Sequence, residues 1–261
     1  MPCFDQDPQN ILSSFIQEQL SGDIKQLNDY CFADLKKTPW GKCNSSFDCD
    51  NTLLANAIYV LLWGGSGNFY PDLTLENVGT GRKYRGDTIN SFRSVLGKYE
   101  ETLPFWEKVG MGEKVSCFFR KYHTIGNFTI MPNEEYQKNT FNMARGCKYG
   151  DFFDRFLVEL EKIMTNSPDK NETFHLLKEA NKECFEGKTL KDFSETFFWG
   201  DYIEDGIPEI LFAPHWTLRK KFEKISPGSD YVAYAERFID MSTKIINKRA
   251  ALMIAALEKK L

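Results

Sequence analysis

The stretch Asp151-Phe152-Phe153-Asp154-Arg155-Phe156-Leu157-Val158-Glu159-Leu160-Glu161-Lys162-Ile163 decides the fold class. Phe152, Phe153, Phe156, Leu157, Leu160 and Ile163 recur three and four residues apart, the spacing that lines one face of a helix. Asp151 stands where a side-chain oxygen would cap it. The same period continues upstream. Residues 9–20 put Ile11, Leu12, Phe15, Ile16 and Leu20 on one face, and the almost wholly apolar run 52–63 predicts a buried helix. Asp87 is expected to begin a helix that ends near Gly97. Residues 100–121 predict another, with Pro104 in its first turn and a break at Val109-Gly110-Met111-Gly112.

Downstream, helices are expected over 171–185, 189–199 and 208–224, the last entered through Pro208. A long final helix is expected over about 230–259, capped by Ser229 and striped by Ala235, Phe238, Ile239, Ile246, Met253 and Leu257. Strand signals are weak: Phe128 to Met131 predicts one short strand, and the glycine-rich residues 64–83 predict a long loop. The predicted fold is mainly α: a single-domain multi-helix bundle over residues 1–261 with a long C-terminal helix and at most a short β-hairpin. It carries a loop-rich insertion at about 64–86, and about 165–170 is the weak candidate boundary.

Composition excludes more than it names. The 33 basic and 37 acidic residues leave a net charge of −4, so no global field draws the chain to nucleic acid. Aromatics make up 15% of the chain, 22 of them Phe, which predicts a core built from large rings. No apolar run approaches membrane-spanning length, and Met1 to Asp7 lacks the basic-then-apolar pattern of a leader, so a cytoplasmic location without membrane contact is expected. Seven cysteines are scattered without a C-x-x-C pair, which suggests neither a disulfide framework nor a zinc site. The sequons at Asn44, Asn127 and Asn171 carry no implication without secretion.

Three motif matches lack their chemistry. Phe47-Asp48-Cys49-Asp50-Asn51-Thr52-Leu53 copies the nucleophile motif of haloacid-dehalogenase-type phosphatases, and Gly200-Asp201-Tyr202-Ile203-Glu204-Asp205 their later acidic motif. That chemistry needs a buried parallel strand before the first Asp; Trp40 to Ser46 cannot form one, so an acidic loop capping the helix near Thr52 is expected. Gly81 to Thr88 has P-loop glycine spacing, but Asp87 stands where a phosphate-binding lysine is needed. Asp87 is instead expected to be an N-cap, beside a solvated basic turn of Arg82, Lys83 and Arg85. His123 to Pro132 resembles the Ile-Gly-Asn-Leu-Thr-Leu segment of HNH-type nucleases, but the histidines are only 123, 175 and 215, with no upstream pair.

Two polar segments, Tyr84 to Phe92 and Tyr122 to Asn133, combine Asp, Asn, Arg or His with aromatics and a glycine, the composition of a walled polar pocket. Their candidate catalytic residues are His123 as general base, Asp87 or Asp201 to orient it and Arg145 to clamp an anion. Candidate ligand-binding residues are Asn90, Tyr122, Asn127, Asn142 and Asp201. No metal or cofactor is implied. The alternative for His123 and Asn127 is that they satisfy buried backbone, with Arg145 paired to Asp151 or Asp154.

In order, Thr38-Pro39-Trp40-Gly41-Lys42, Leu61-Leu62-Trp63, Gly86-Asp87-Thr88-Ile89-Asn90-Ser91-Phe92, Tyr122-His123-Thr124-Ile125-Gly126-Asn127-Phe128, Asn142-Met143-Ala144-Arg145-Gly146 and Asp151 to Asp154 resemble a group of uncharacterised bacterial cytosolic proteins classed only as a domain of unknown function. The resemblance implies one domain in a bacterial cytosol and brings no chemistry with it. The expected function is a binding or regulatory module for a small anionic ligand or a protein partner. One alternative is a metal-independent hydrolase or transferase using His123. The other is a nucleic-acid-binding or degraded HNH-like protein contacting bases through Trp216 and Arg219 to Lys221.

Overall fold

Helices account for most of the chain, because its apolar residues repeat at helical spacing almost throughout. The computed structural model describes residues 7–42, 47–204, 207–209, 211–212 and 230–261. It begins with α1 (Pro8–Gln19), whose Asp7 carboxylate accepts the Gln9 amide as an N-cap. After four short 3-10 turns, α2 (Leu53–Trp63) follows, capped by Thr52 and buried on nearly every side. The middle of the chain holds β1 (Tyr84–Thr88), α3 (Phe92–Leu96), α4 (Tyr99–Lys108), α5 (Gly112–Tyr122) and β2 (Phe128–Pro132). Then come α6 (Phe141–Tyr149), α7 (Phe153–Met164), α8 (Glu172–Ala180), α9 (Lys182–Phe185), α10 (Leu190–Phe197), the two-residue strands β3 (Ile203–Glu204) and β4 (Ile207–Pro208), and the long α11 (Asp230–Leu257).

The mainly α expectation holds, and five details differ. Asp87 does not cap a helix: it lies in β1, which pairs antiparallel with β2, Asp87 opposite Thr129, and the helix starts at Phe92. Arg85 and Lys83 are not a solvated turn, since Arg85 pairs with Asp48 at 3.3 Å and Lys83 with Asp72 at 2.9 Å and with Glu183. Asp151 is not the cap of α7. Phe152 occupies that place, and Asp151 turns the chain out of α6 with a left-handed φ of 65°. The helix expected over 171–185 is broken at Asn181, whose buried amide bonds the chain at Glu134. Pro208 ends β4 rather than opening a helix. The rest of that expected helix, the Ser229 cap, His215 and the Trp216 and Arg219 to Lys221 patch lie outside the described residues.

The buried apolar side chains, from Ile11 in α1 to Leu257 in α11, form one cluster. Its rings meet as the composition predicts: Trp63 and Phe197 lie 4.9 Å apart, Phe69 and Phe193 4.7 Å, and Phe153 and Trp199 5.1 Å. Such pairs add roughly 0.5–1.5 kcal/mol each beyond their buried area. α11 packs against α2, α5 and the turn Ile125–Asn127 that leads into β2. Among the described residues no helix is long and apolar enough to cross a membrane.

Two close backbone approaches fix β1 and β2 in this core. A Cβ on Gly86 would overlap the Asp50 carbonyl, and one on Gly126 would overlap the Ile246 carbonyl of α11. Only glycine fits either place. Arg249 completes the anchoring: fully buried in α11, it donates to the carbonyls of Gly126, Phe128, Phe197 and Phe198. Burial with no carboxylate hydrogen-bonded to it among the described residues pushes its pKa down to about 10.

Candidate functional site

The two polar segments meet because β1 and β2 pair, and the residues between them divide into an anchor and an ion-pair cluster. Asn127 belongs to the anchor. Its Oδ1 accepts from the Asn90 backbone N–H at 2.9 Å and from Asn90 Nδ2 at 3.2 Å, and its Nδ2 donates to the carbonyls of Asn90 at 3.2 Å and Tyr122 at 3.0 Å. That uses the whole hydrogen-bonding capacity of an amide. Asn90 Oδ1 in turn accepts from the buried Tyr202 hydroxyl. Both asparagines therefore hold β1 to the turn before β2.

Asp87 and Arg145 form the heart of the cluster. Arg145, three residues after Asn142 on α6, reaches Asp87 Oδ2 with Nη2 at 2.9 Å and donates from the same nitrogen to the Thr88 carbonyl at 2.8 Å. Their side chains are 2% and 6% exposed, and the guanidinium carbon lies 5.7 Å from the centre of the Phe153 ring. Asp87 Oδ1 accepts the Thr88 N–H at 2.8 Å. Its pKa is nevertheless pushed up to about 6: desolvation outweighs the pull of Arg145, and the Asp151 carboxylate adds to the rise.

Four buried polar atoms around this pair have no hydrogen-bond partner among the described residues: Arg145 Nε, Arg145 Nη1, Arg85 Nε and Thr129 Oγ1. Arg85 lies two residues from Asp87 on the same face of β1, and Thr129 is opposite Asp87 in the register. Buried donors are normally satisfied, so a group of unsatisfied ones around one ion pair calls for an explanation.

Asp48 and Asp50 join the cluster from the 3-10 turn before α2. Asn51 Nδ2 lies 3.1 Å from Asp48 Oδ2 and 2.8 Å from Asp50 Oδ1, while its Oδ1 accepts the Gly86 N–H at 3.0 Å. Tyr59 donates its hydroxyl to the Asp50 carbonyl at 2.8 Å. Burial first, and then the hydrogen bond and charge of Asp48, push the Asp50 carboxyl well above the usual carboxylate range. Asp50 thus holds its proton more tightly than an exposed carboxyl beside Asp48. The expected acidic turn precedes α2, but Thr52 rather than a carboxylate caps the helix, and the turn also reaches Asp87. The available signal was two carboxylates immediately before an apolar helix.

The other candidates lie elsewhere. His123 Nδ1 bonds the Phe119 carbonyl at 2.9 Å, and its ring edges meet Phe119 and Tyr122. Desolvation pushes its pKa down, so it is neutral near pH 7. Among the described residues no carboxylate hydrogen-bonds the imidazole. The Tyr122 hydroxyl is 3.4 Å from Thr88 Oγ1, and its pKa is raised by burial first and then by Asp50, Asp87 and Asp151. Asn142 is half-buried in the first turn of α6. Asp201 pairs with Lys248 at 2.8 Å and is not hydrogen-bonded to His123, Asp87 or Arg145. Arg145 pairs with Asp87 rather than with Asp154, whose Oδ2 accepts the Phe212 N–H at 2.7 Å.

The surface hollows formed by the described residues include two of similar size. One of about 200 Å³ is lined by Phe92, Arg93, Lys98, Tyr99, Phe119 and Tyr122 among others, so Tyr122 joins it to the ion pair through Thr88. The other, of about 230 Å³, lies between α7, α8 and α9, where Lys178 and Lys188 are spent on backbone carbonyls. Among the described residues no group of three or more His, Cys, Asp or Glu is arranged to hold a metal ion. The five described cysteines are free thiols.

A family model described as "Family of unknown function (DUF6994)" matches residues 80–253, and the chain belongs to that family. No curated protein matches the chain. No solved structure matches it either. The matched region contains Asp87, His123, Arg145 and Arg249, while Asp48 and Asp50 precede it.

Proposed function

We propose that the protein is a single-domain bacterial cytosolic binding module that takes a small ligand with carboxylate-type oxygens at Arg145. One observation carries this reading. Arg145 is buried, yet two of its three guanidinium nitrogens, Nε and Nη1, lack acceptors among the described residues. A guanidinium has donors and no acceptor, so only an acceptor such as a carboxylate oxygen satisfies either open nitrogen. The hydrolase or transferase reading is less well supported, because the His123 imidazole is neutral and its hydrogen bond is to main chain rather than to an orienting carboxylate.

The reading is tested by thermal unfolding with acetate added at constant ionic strength. At ten times its dissociation constant a ligand stabilises the native state by about 1.4 kcal/mol. Acetate is expected to raise the melting temperature of the natural protein above that in matched chloride, and to leave Arg145→Gln unmoved. Equal shifts in both proteins, or none in either, would refute the site.

A further inference from the structure

Resting on that reading, the charges around Arg145 decide what kind of anion it accepts. Asp87 is faced by Arg145 from α6, by Asp151 from the turn after α6 and by Arg85 from its own strand. Asp48 and Asp50 approach from the turn before α2, and the Tyr122 hydroxyl from α5. Among the described residues, and leaving Asp50 out of the count, the three carboxylates of Asp48, Asp87 and Asp151 confront the two guanidinium groups of Arg85 and Arg145. That balance is negative, so a bare anion is repelled in a low-dielectric setting, and a dianion more strongly.

Yet the unpartnered donors at Arg145 can be satisfied only by an acceptor. The two requirements are reconciled if negative charge is removed as the ligand enters. The geometry points to a site that takes a small monocarboxylate together with one proton: a ligand oxygen accepts from Arg145 Nε, on the edge it shares with Nη2, while the Asp87 carboxylate, 2.9 Å from Nη2, is protonated from solvent. Charge balances, since one anion and one proton enter together. Protonated Asp87 then donates to the ligand carboxylate while still accepting from Arg145 and the Thr88 N–H, and two carboxyl groups share one proton and one guanidinium, as paired acids do when like charges are close. Asp87 already has a pKa near this transition, at about 6, and a second carboxylate raises it further. Phosphate, a dianion above neutral pH, is disfavoured by the same count.

Isothermal titration of the full-length protein tests this with acetate and, separately, inorganic phosphate, in two buffers of different ionisation enthalpy from about pH 5.5 to about pH 8. The expected result is a buffer-dependent heat showing little proton uptake at about pH 5.5 and uptake approaching one proton per acetate well above about pH 6. The acetate dissociation constant should rise about tenfold for each pH unit above the Asp87 pKa. Asp87→Asn should flatten that slope, whereas Asp50→Asn should keep it. A dissociation constant independent of pH, with no buffer-dependent heat, overturns the proton coupling and leaves the ligand site standing. Phosphate binding that strengthens with rising pH overturns the monocarboxylate assignment. Acetate that gives no saturable heat at any pH overturns both the coupling and the ligand site.

Discussion

Asp50 shows how one buried acid is tolerated. A neutral carboxyl donates one hydrogen bond to Asp48 and accepts one from Asn51, and an asparagine side chain does the same with its N–H and carbonyl. Asp50→Asn should therefore fold, while Asp50→Ala should lose about 1–3 kcal/mol by leaving Asn51 and Asp48 short of a partner. The pH dependence has a definite sign. The native pKa of Asp87 is about 6 against an ordinary 3.8, so the folded state binds this proton more tightly than the unfolded state. Stability from Asp87 is therefore fullest at low pH and falls as pH rises from about 4 to about 6, by about 3 kcal/mol. Asp50 acts in the same direction. Urea unfolding at about pH 5 and about pH 7.5 should show Asp50→Asn losing less stability with rising pH than the natural protein; parallel losses would mean that Asp50 is ionised when folded.

Among the elements, the pairing of β1 with β2 was the hardest to read from sequence. Phe128 to Met131 was legible as a strand because its residues are β-branched or bulky, but its partner Tyr84-Arg85-Gly86-Asp87-Thr88 carries two charges and a glycine and reads as a helix start. What makes it a strand is remote: Asp48 neutralises Arg85, Arg145 neutralises Asp87, and Gly86 lets the Asp50 carbonyl approach. Local periodicity has no access to such partners. The helices were legible because each buries its own stripe. Arg249 was hidden for the opposite reason, being a charged residue inside the apolar stripe of α11. Arg249→Lys should cost about 3 kcal/mol or more, since one ammonium cannot reach carbonyls at the end of α10 and the start of β2 together. Gly126→Ala should cost a comparable amount, about 2–3 kcal/mol, because the obstruction is backbone of α11. Chemical denaturation of each variant checks both, and losses below about 0.5 kcal/mol would show that the β2 turn is not held by α11.

For the whole molecule, the family match begins just before β1 and ends inside α11, leaving out α1 and α2. Those helices are not dispensable in this structure. α2 is almost entirely buried and packs against both α1 and α11, and the turn before it supplies Asp50 to Gly86 and Asp48 to Arg85. Residues 80–253 expressed alone should therefore lack a cooperative unfolding transition in circular dichroism; a transition like that of the full chain would place the folding unit within the matched region. At this scale the sequence was informative about class and about the two polar segments, whose convergence follows from β1 and β2. It could not separate asparagines spent on holding strands from an arginine left with open donors, because that distinction is a matter of three-dimensional hydrogen bonding.

The Nε–H resonance of Arg145 in a ¹H–¹⁵N spectrum reports directly on the ligand bond proposed at that open nitrogen. Assigned by its loss in Arg145→Gln, it should move saturably downfield as acetate is added at about pH 6, as a charge-assisted hydrogen bond forms. A resonance that stays fixed throughout the titration, in protein that remains folded, would contradict the account.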